Sequence, residues 1–516
     1  MNLVDETRAR EELERAIASG TPEEIAKAAM SNLWPLCNAH PELLLSTIND
    51  LPAKVLERYP VLRVFHPMTP VVARTAPYKP LGRPDDNRDR HPDELDATLL
   101  GQMIAARQSG DISAAQNYAS RLERRLAEVT TEGRTRTEGP MWFMQLQIGS
   151  THLMAGESSQ ALLEFATARQ LGRLSQQQGA ERFALARIAL AHAARGSIDD
   201  AEAALTDGRR LPEPSRAAAT AVHASERTAA ALIAVDRLSE NLEQAISDLE
   251  PYDTVDLSWP FALLARTRAL LAWKRPHEAL EVISLTQNCH PIQDGSFAAD
   301  VIAAKSIDAH LAIGDEVAAH RILKSTPLPG ILTRFAAVIV ALREGNHVAA
   351  TTSLRRIAAQ SGLSPQSRAK HLLLSGWSEF ARTGSVDPKS AAAVARLATV
   401  TSARGLWTIA PESLVEAVKE QLPPEAALKF AGALAGVQFS DLESRPSLTA
   451  SELRVLSAMS QHMTTAQIAA AFYVSPNTIK TQLRSLYRKL GCSSREEAIA
   501  MGARFRLDGV SATLLG

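Results

Sequence analysis

Four closely spaced helix start signals near the C-terminal end constrain the fold of this chain more than any other feature. Three of them have the spacing of a capping box, in which a Ser or Thr and a Glu or Gln three residues later satisfy each other's backbone amides. The three pairs are Thr449 with Glu452, Thr464 with Gln467, and Ser494 with Glu497. The fourth signal is Ser475 followed by Pro476, a cap and then a residue whose fixed φ suits the first helical turn. The sequence therefore predicts four short helices between Leu448 and Leu507.

The third of these helices sorts its side chains by face. Apolar residues recur at helical spacing and predict a buried stripe. The stripe consists of Ile479, Leu483, Leu486 and Leu490. Lys480, Arg484 and Arg488 lie four residues apart on another face, with Thr481 beside them, and no acidic residue of the helix is spaced to pair with them. A capped helix with a buried back and a cationic front fits the B-DNA major groove, whereas a solvated basic face is the simpler alternative.

Several short motifs in this segment resemble the LuxR-type helix-turn-helix of bacterial transcription regulators. They are Leu448 to Glu452, Gln467 to Ala469, Ser475 to Lys480, Arg488 to Gly491 and Ser494 to Ala498. The resemblance covers about sixty residues. It implies a recognition helix from about Ser475 to Leu490, and a fourth helix from Ser494 to about Phe505 that supplies the contact between the two copies of a dimer. The sequence departs from the family pattern at His462 (usually Gly), Gln467 (usually Glu) and Gln482 (commonly His).

The resemblance also implies which side chains contact double-stranded DNA. Lys480, Thr481 and Arg484 are expected at base edges, while Thr465, Thr478 and Arg488 are expected on phosphates, which fix register without reading sequence. The complete predicted set is Thr464, Thr465, Ser475, Asn477, Thr478, Lys480, Thr481, Arg484 and Arg488. A homodimer on DNA is the predicted assembly.

A second pattern recurs between about Leu95 and Val437. A glycine closes one amphipathic helix, an alanine follows five residues later, and a residue that is usually large and apolar follows nine residues after the glycine. The sets are Gly110, Ala115, Ala119; Gly156, Ala161, Phe165; Gly196, Ala201, Leu205; Gly314, Ala319, Leu323; and Gly345, Ala350, Leu354. Two more fit if Glu240 and Lys274 replace the glycine, giving Ala245 with Leu249 and Ala279 with Ile283. Because the small residue lets two helices approach closely, the pattern predicts helical hairpins.

The repeated hairpins resemble a degenerate tetratricopeptide array, whose spacings here range from 31 to 46 residues. A compact bundle is the alternative. The predicted fold is all-α: a tetratricopeptide-like helical solenoid followed by a four-helix LuxR-type domain. Residues 1–90 are predicted to hold short helices and an exposed connection from about Ala76 to Asp96, residues 91–437 the repeats, and residues 446–510 the DNA-binding domain. The repeats continue as Ser364 to Thr383 and Pro388 to Thr401, then Pro411 to Val437, and Phe439 to Pro446 is a short joint.

Charge is distributed unevenly along the chain. The total formal charge is −1, but from Pro446 onward eight Lys and Arg stand against four Asp and Glu, about +4, which leaves about −5 for the remainder. Attraction to DNA is therefore predicted only for the last domain. The three cysteines, Cys37, Cys289 and Cys492, lie far apart and fit a reducing cytoplasm. No apolar run reaches the length of a membrane span, so a cytoplasmic location without a membrane role is expected.

No arrangement of residues typical of an enzyme is present. The sequence has no phosphate-binding G-x-x-x-x-G-K-[ST] loop, so the ATPase that precedes such arrays in large MalT-like regulators is missing, and we assign no catalytic residue, cofactor or metal. The leading hypothesis is a transcription regulator whose helical repeats bind a peptide, a partner protein or a medium-sized metabolite. The alternative is a tetratricopeptide-type adaptor whose C-terminal unit no longer reads DNA.

Overall fold

The computed structural model describes residues 3–59, 61–62, 92–128, 141–174, 179–214, 216–251, 257–400, 403–440, 448–461, 464–490, 492 and 494–504. Within these residues the chain is all-α and contains no β-strand. The helices up to Ser325 are Leu3–Ser19, Pro22–Ser31, Leu33–Ala39, Pro41–Asp50, Ala53–Leu56, Pro92–Gln108, Ile112–Glu128, Met141–Met154, Ser158–Leu174, Ala180–Arg195, Ile198–Arg209, Arg216–Arg237, Leu242–Ser247, Trp259–Ala272, Pro276–Cys289, Phe297–Ala312 and Glu316–Ser325. They continue as Ile331–Arg343, His347–Ala358, Pro365–Thr383, Pro388–Val400, the 3₁₀ helix Arg404–Ile409, Glu412–Glu420, Pro424–Ala433, Ala450–Ser460, Thr465–Ala471, Pro476–Leu490 and Arg495–Arg504.

The glycine motif forms the turn of each helical hairpin. All five predicted glycines have positive φ, between 71° and 86°, which ends the preceding helix at no steric cost. The next residue often caps the following helix: the Asp315 carboxylate accepts a hydrogen bond from the Ala318 amide (2.9 Å), and Asn346 accepts one from Ala349 (3.1 Å). A short sequence of glycine and cap therefore reverses the chain direction.

The alanine of each motif lies where the two helices of a hairpin meet. Six of the seven predicted alanines are fully buried and the seventh, Ala245, is half-buried. The six are Ala115, Ala161, Ala201, Ala279, Ala319 and Ala350. The larger residue is also buried in most hairpins, as at Phe165 and Leu354, while Leu323 is only half-buried. A larger side chain at the alanine positions would have to push the helices apart.

Two details of the sequence prediction were wrong. Lys274 does take the glycine's place, with φ 58°, but in the neighbouring hairpin the left-handed residue is Leu238 (φ 49°) rather than Glu240. The predicted connection up to Asp96 is already helical from Pro92, because proline is compatible with a first turn and the Asp96 carboxylate pairs with Arg125 (2.6 Å). The earlier part of that connection, residues 76–91, lies outside the described residues, as does most of the joint, residues 441–446.

The chain divides into two compact units. The first comprises Met1–Thr333, Ser361–Arg368 and Ser402–Gly405. Within it, segments far apart in sequence touch. A Cβ on Gly110 would lie 2.7 Å from the Pro291 carbonyl oxygen, and the Gln293 side chain donates to Asp111 (3.3 Å) and accepts from the Ser113 amide (3.4 Å).

These long-range contacts accompany unusual burial of the first helix of several hairpins. Ala180–Arg195 and Phe297–Ala312 are buried on nearly all faces, including the charged Arg182, Arg187, Asp300 and Lys305. An open groove along these helices is therefore not the geometry of this unit.

The second unit comprises Arg334–Gln360, Ala369–Thr401 and Leu406–Gly516. It contains the last hairpins, where Trp407 packs edge-on against Phe430 with 5.2 Å between ring centroids. It also contains the four C-terminal helices, whose own core includes Val455, Met459 and Ile468. No helix within the described residues is long and apolar enough to cross a membrane.

Candidate nucleic-acid interface

The predicted start signals of the four C-terminal helices are all formed. The boxes at Thr449 and Thr464 are complete in both directions. At the fourth helix, the Glu497 amide donates to the Ser494 hydroxyl (3.1 Å) and the Ser494 amide donates to the Glu497 carboxylate (3.2 Å). The helix Pro476–Leu490, which corresponds to the predicted recognition helix and keeps that name below, begins directly after Ser475.

The recognition helix buries one face and exposes the other. Ile479, Leu486 and Leu490 are buried in the domain core, and Leu483 is half-buried. Lys480, Thr481, Arg484 and Arg488 are exposed. Among the residues that the structure describes, these three cations form no ion pair, so their charge faces solvent. The fixed backbone of a packed helix therefore presents a cationic ridge.

Several small polar residues of the predicted site are exposed and also form hydrogen bonds within the recognition helix or its cap. The Ser475 hydroxyl accepts a hydrogen bond from the Thr478 amide (3.1 Å) and lies 2.9 Å from the Thr478 hydroxyl. The Thr481 hydroxyl donates to the Asn477 carbonyl oxygen (3.0 Å). Thr481 is therefore left with acceptor capacity and a methyl group for a base edge, which suit an amino group or a thymine methyl. Thr464 is exposed and Thr465 is half-buried at the start of the second helix.

An ion pair between a half-buried lysine and a buried glutamate joins the first helix to the recognition helix. The Lys489 ammonium lies 2.7 Å from a carboxylate oxygen of Glu452, whose side chain is only 6% exposed. The same carboxylate accepts from the Thr449 amide (2.7 Å). Burial raises the pKa of Glu452, but hydrogen bonds from Lys489, Thr449 and Ser485 outweigh burial and hold the pKa below its ordinary value. Glu452 is thus both a helix cap and an anchor for the recognition helix.

The stretch of sequence that contains the recognition helix carries a single sign of charge. From Leu453 to Arg495 the sequence contains no Asp or Glu. The cations of this stretch are Arg454, Lys480, Arg484, Arg488, Lys489 and Arg495. Attraction to a polyanion is therefore not opposed by neighbouring carboxylates in the sequence of this stretch.

Three features of this domain were not predicted from the sequence: the conformation of one residue and two side-chain contacts. Tyr473, in the turn before the recognition helix, has φ 55° and is 97% exposed. Arg454 lies over the Phe472 ring, 5.6 Å from its centroid, and the Arg495 guanidinium donates to the Met459 carbonyl oxygen (3.0 Å). Tyr473 and Val474, which precede the cap residue Ser475, lie at a turn, but neither residue type indicates a left-handed conformation. The predicted departure at His462 lies outside the described residues.

The C-terminal segment matches a known family. Residues 446–502 correspond to the GerE family, described as bacterial regulatory proteins of the luxR family. A probable transcriptional regulatory protein NarL from two strains of Mycobacterium tuberculosis is 44% identical over 62 residues, which cover 12% of this chain and 29% of the relative. A probable transcriptional regulatory protein SgaR from Hyphomicrobium methylovorum is 34% identical over 102 residues, 19% of this chain and 46% of the relative.

These similarities leave most of the molecule uncovered. The chain spans less than half the length of the curated relatives it matches. The match begins at residue 446 and therefore includes the whole recognition helix but none of the helical hairpins before it.

Proposed function

We propose that the protein is a transcription regulator that binds double-stranded DNA through its C-terminal domain. The observation that carries this proposal is the exposed ridge of Lys480, Arg484 and Arg488 on a capped helix whose opposite face is buried. The names of the relatives point the same way, since both are probable transcriptional regulatory proteins. A helix of this kind fits the major groove, where base edges are accessible to side chains.

The nine predicted contact residues divide into two roles in this proposal. Lys480, Thr481 and Arg484 read base edges. The remaining residues, which lie near helix starts or farther along the ridge, contact phosphates and set the register. They are Thr464, Thr465, Ser475, Asn477, Thr478 and Arg488.

The test compares two arginines of one ridge. Binding sites are first selected from genomic fragments with the full-length protein, and affinity is then measured on a selected site and on an unrelated duplex. Arg484→Ala should cost on the order of 1 to 3 kcal/mol on the selected site only, whereas Arg488→Ala should weaken both duplexes and reduce the salt slope by about one. Arg356→Ala removes another exposed arginine, outside this domain, and should leave both affinities unchanged.

Two results would contradict the proposal. Failure of the intact protein to bind any duplex would favour the adaptor alternative, in which the C-terminal unit serves protein contacts. Equal binding by Arg484→Ala and the intact protein would remove Arg484 from the reading set. A homodimer would show as a palindromic selected site, because the symmetry of the site mirrors that of the protein.

We further propose that the helical hairpins bind an effector or partner and bias the DNA-binding domain. Because the first helices of several hairpins are buried on nearly all faces, the binding surface would lie on the outer helices or would require the contact between Gly110 and Pro291 to open. Hydrogen exchange over Ala180–Arg195, with and without a candidate effector, separates these routes. Only opening raises exchange in that helix.

A further inference from the structure

The turn that leads into the recognition helix holds an unusual side chain. Tyr473 is an aromatic residue in the left-handed backbone region, at φ 55°, and it is 97% exposed. Two hydrogen bonds fix the turn: the Tyr473 amide donates to Ala470 (3.3 Å) and the Val474 amide donates to Ala469 (3.0 Å). Left-handed backbone at a bulky residue is strained, and full exposure gives Tyr473 no packing in return. The combination points to a role outside the folding of the domain.

The two other non-glycine residues with positive φ differ from Tyr473 in the use of their side chains. Leu238 is half-buried and packs against a cluster that contains Val235 and Leu242, so its side chain is used in packing. Lys274 is exposed, but its side chain is charged and therefore suits a position in water. Within the described residues, Tyr473 is the one case in which a large aromatic ring is presented to solvent by a strained turn.

The position of Tyr473 brings it close to the proposed DNA surface. It stands two residues before Ser475, and because successive Cα atoms are about 3.8 Å apart, its Cα lies within about 8 Å of that of the cap. Arg454, which lies over the ring of the neighbouring Phe472, contributes a cation beside the turn. The stretch from Leu453 to Arg495 has no acidic residue that would repel a phosphate. When a recognition helix enters a groove of DNA, the first turn of the helix lies close to the sugar-phosphate backbone that borders the groove.

We propose that Tyr473 contacts the DNA backbone at the edge of the bound site. Its ring lies against a deoxyribose, and its hydroxyl donates a hydrogen bond to a phosphate oxygen. The turn fixes the backbone at Tyr473 before binding, so no backbone freedom is lost when the contact forms. This inference rests on the proposed DNA-binding function, and it adds a residue outside the nine predicted from the sequence.

The test uses a substitution that favours the observed backbone. Tyr473→Gly removes the side chain while relieving the strain at positive φ, so the domain should fold at least as well as the original. Affinity should fall about tenfold on a selected site and by the same factor on an unrelated duplex, because a backbone contact reads no sequence. The affinity of Tyr473→Phe, which keeps the ring, should fall by a smaller factor. The salt slope should not change, since the hydroxyl is neutral.

Controls separate this inference from the function on which it rests. Lys274→Gly makes the same backbone change at another left-handed turn and should leave affinity unchanged. If the intact protein binds no duplex, the proposed function fails. If the intact protein binds and Lys480→Ala weakens binding while Tyr473→Gly does not, only the role of Tyr473 is overturned. Unchanged duplex binding with lost transcriptional output in Tyr473→Gly would also overturn it, because the ring would then serve a protein contact.

Discussion

Arginines occupy opposite settings in two helices of this molecule. In Ala180–Arg195, Arg182 is 6% exposed and bonds both oxygens of Glu226 (2.9 and 3.2 Å) and one oxygen of Glu213 (2.7 Å). In the recognition helix, Arg484 is exposed and forms no ion pair with the described residues. The same side chain is structural where carboxylates surround it and available for a ligand where they are absent. Acidic neighbours, rather than cationic residues alone, therefore distinguish the two roles.

The largest expected effect comes from removing the buried arginine. Arg182→Met keeps the volume of the side chain but leaves the Glu226 carboxylate, 10% exposed, without its cation, and should lower the free energy of unfolding by about 3 kcal/mol. DNA affinity per folded molecule should not change. Unfolding is followed by hydrogen exchange over residues 180–195, because a chain of two units need not unfold in one step.

The control for this prediction removes both charges together. Arg182→Met with Glu226→Gln should be less destabilised than Arg182→Met alone, since no uncompensated charge stays buried. If Arg182→Met alone were as stable as the original chain, burial and acidic neighbours would not distinguish structural arginines from those available for a ligand.

Two adjacent cations of the recognition helix should behave in opposite ways. Lys489→Met strips the buried Glu452 of its ammonium partner and should lower the stability of the C-terminal domain by about 2 kcal/mol. Arg488→Met, one residue earlier and exposed, should change stability by less than about 0.5 kcal/mol but weaken DNA binding. Thermal unfolding and duplex titration of both variants give the comparison, and similar stability losses for the two would contradict it.

The same ion pair makes a pH prediction with a definite sign. Because the pKa of Glu452 is depressed in the folded chain, its contribution is complete above the unfolded pKa of about 4.3 and is lost as pH falls through the lower folded value. The stability difference between the original chain and Glu452→Gln should therefore be largest near neutral pH and shrink in acid. A stability difference that grows as the pH falls would contradict a depressed pKa for Glu452 in the folded chain.

The sequence predicted the features that depend on neighbours along the chain. The caps at Thr449, Thr464 and Ser475, the buried stripe and exposed ridge of the recognition helix, and the left-handed glycines follow from residue type and spacing within a few positions. Such local rules act through backbone amides and helical periodicity, which need no tertiary information. The DNA-contact roles of the nine residues stay predictions.

Features that join distant parts of the chain could not be predicted in this way. Glu226 lies 44 residues from Arg182, and Gln293 lies 182 residues from Asp111, so no spacing rule connects them. The tight turn from Tyr473 to Ser475 could be recognised, but the left-handed conformation of Tyr473 could not, because it runs against the preference of the residue. Leu238 rather than Glu240 is left-handed because the helix Arg216–Arg237 ends directly before it, two residues earlier than the spacing predicted.

Two histidines allow the same comparison of carboxylate neighbours, with the smallest expected effect on stability. His152 lies between two carboxylates, with Nδ1 2.6 Å from Glu157 and Nε2 2.8 Å from Glu123. Burial lowers the pKa of His152, but its bonds to Glu123 and Glu157 outweigh burial and raise it. His192 is 3.7 Å from the single carboxylate of Asp200, and burial lowers its pKa. Opposite pH trends should follow, because the protein favours the charged form of His152 and disfavours the charged form of His192.

His152→Gln and His192→Gln measure those trends directly. The contribution of His152, on the order of 1 kcal/mol, should be complete below the unfolded pKa of about 6.5 and disappear as pH rises through the raised folded value. The His192 side chain should cost stability as pH falls, because protonation favours the unfolded chain, so His192→Gln should gain relative stability in acid. Chemical unfolding from about pH 5 to pH 9 distinguishes the two. Parallel curves of stability against pH for the two variants would show that carboxylate neighbours do not determine the direction of the pKa shift.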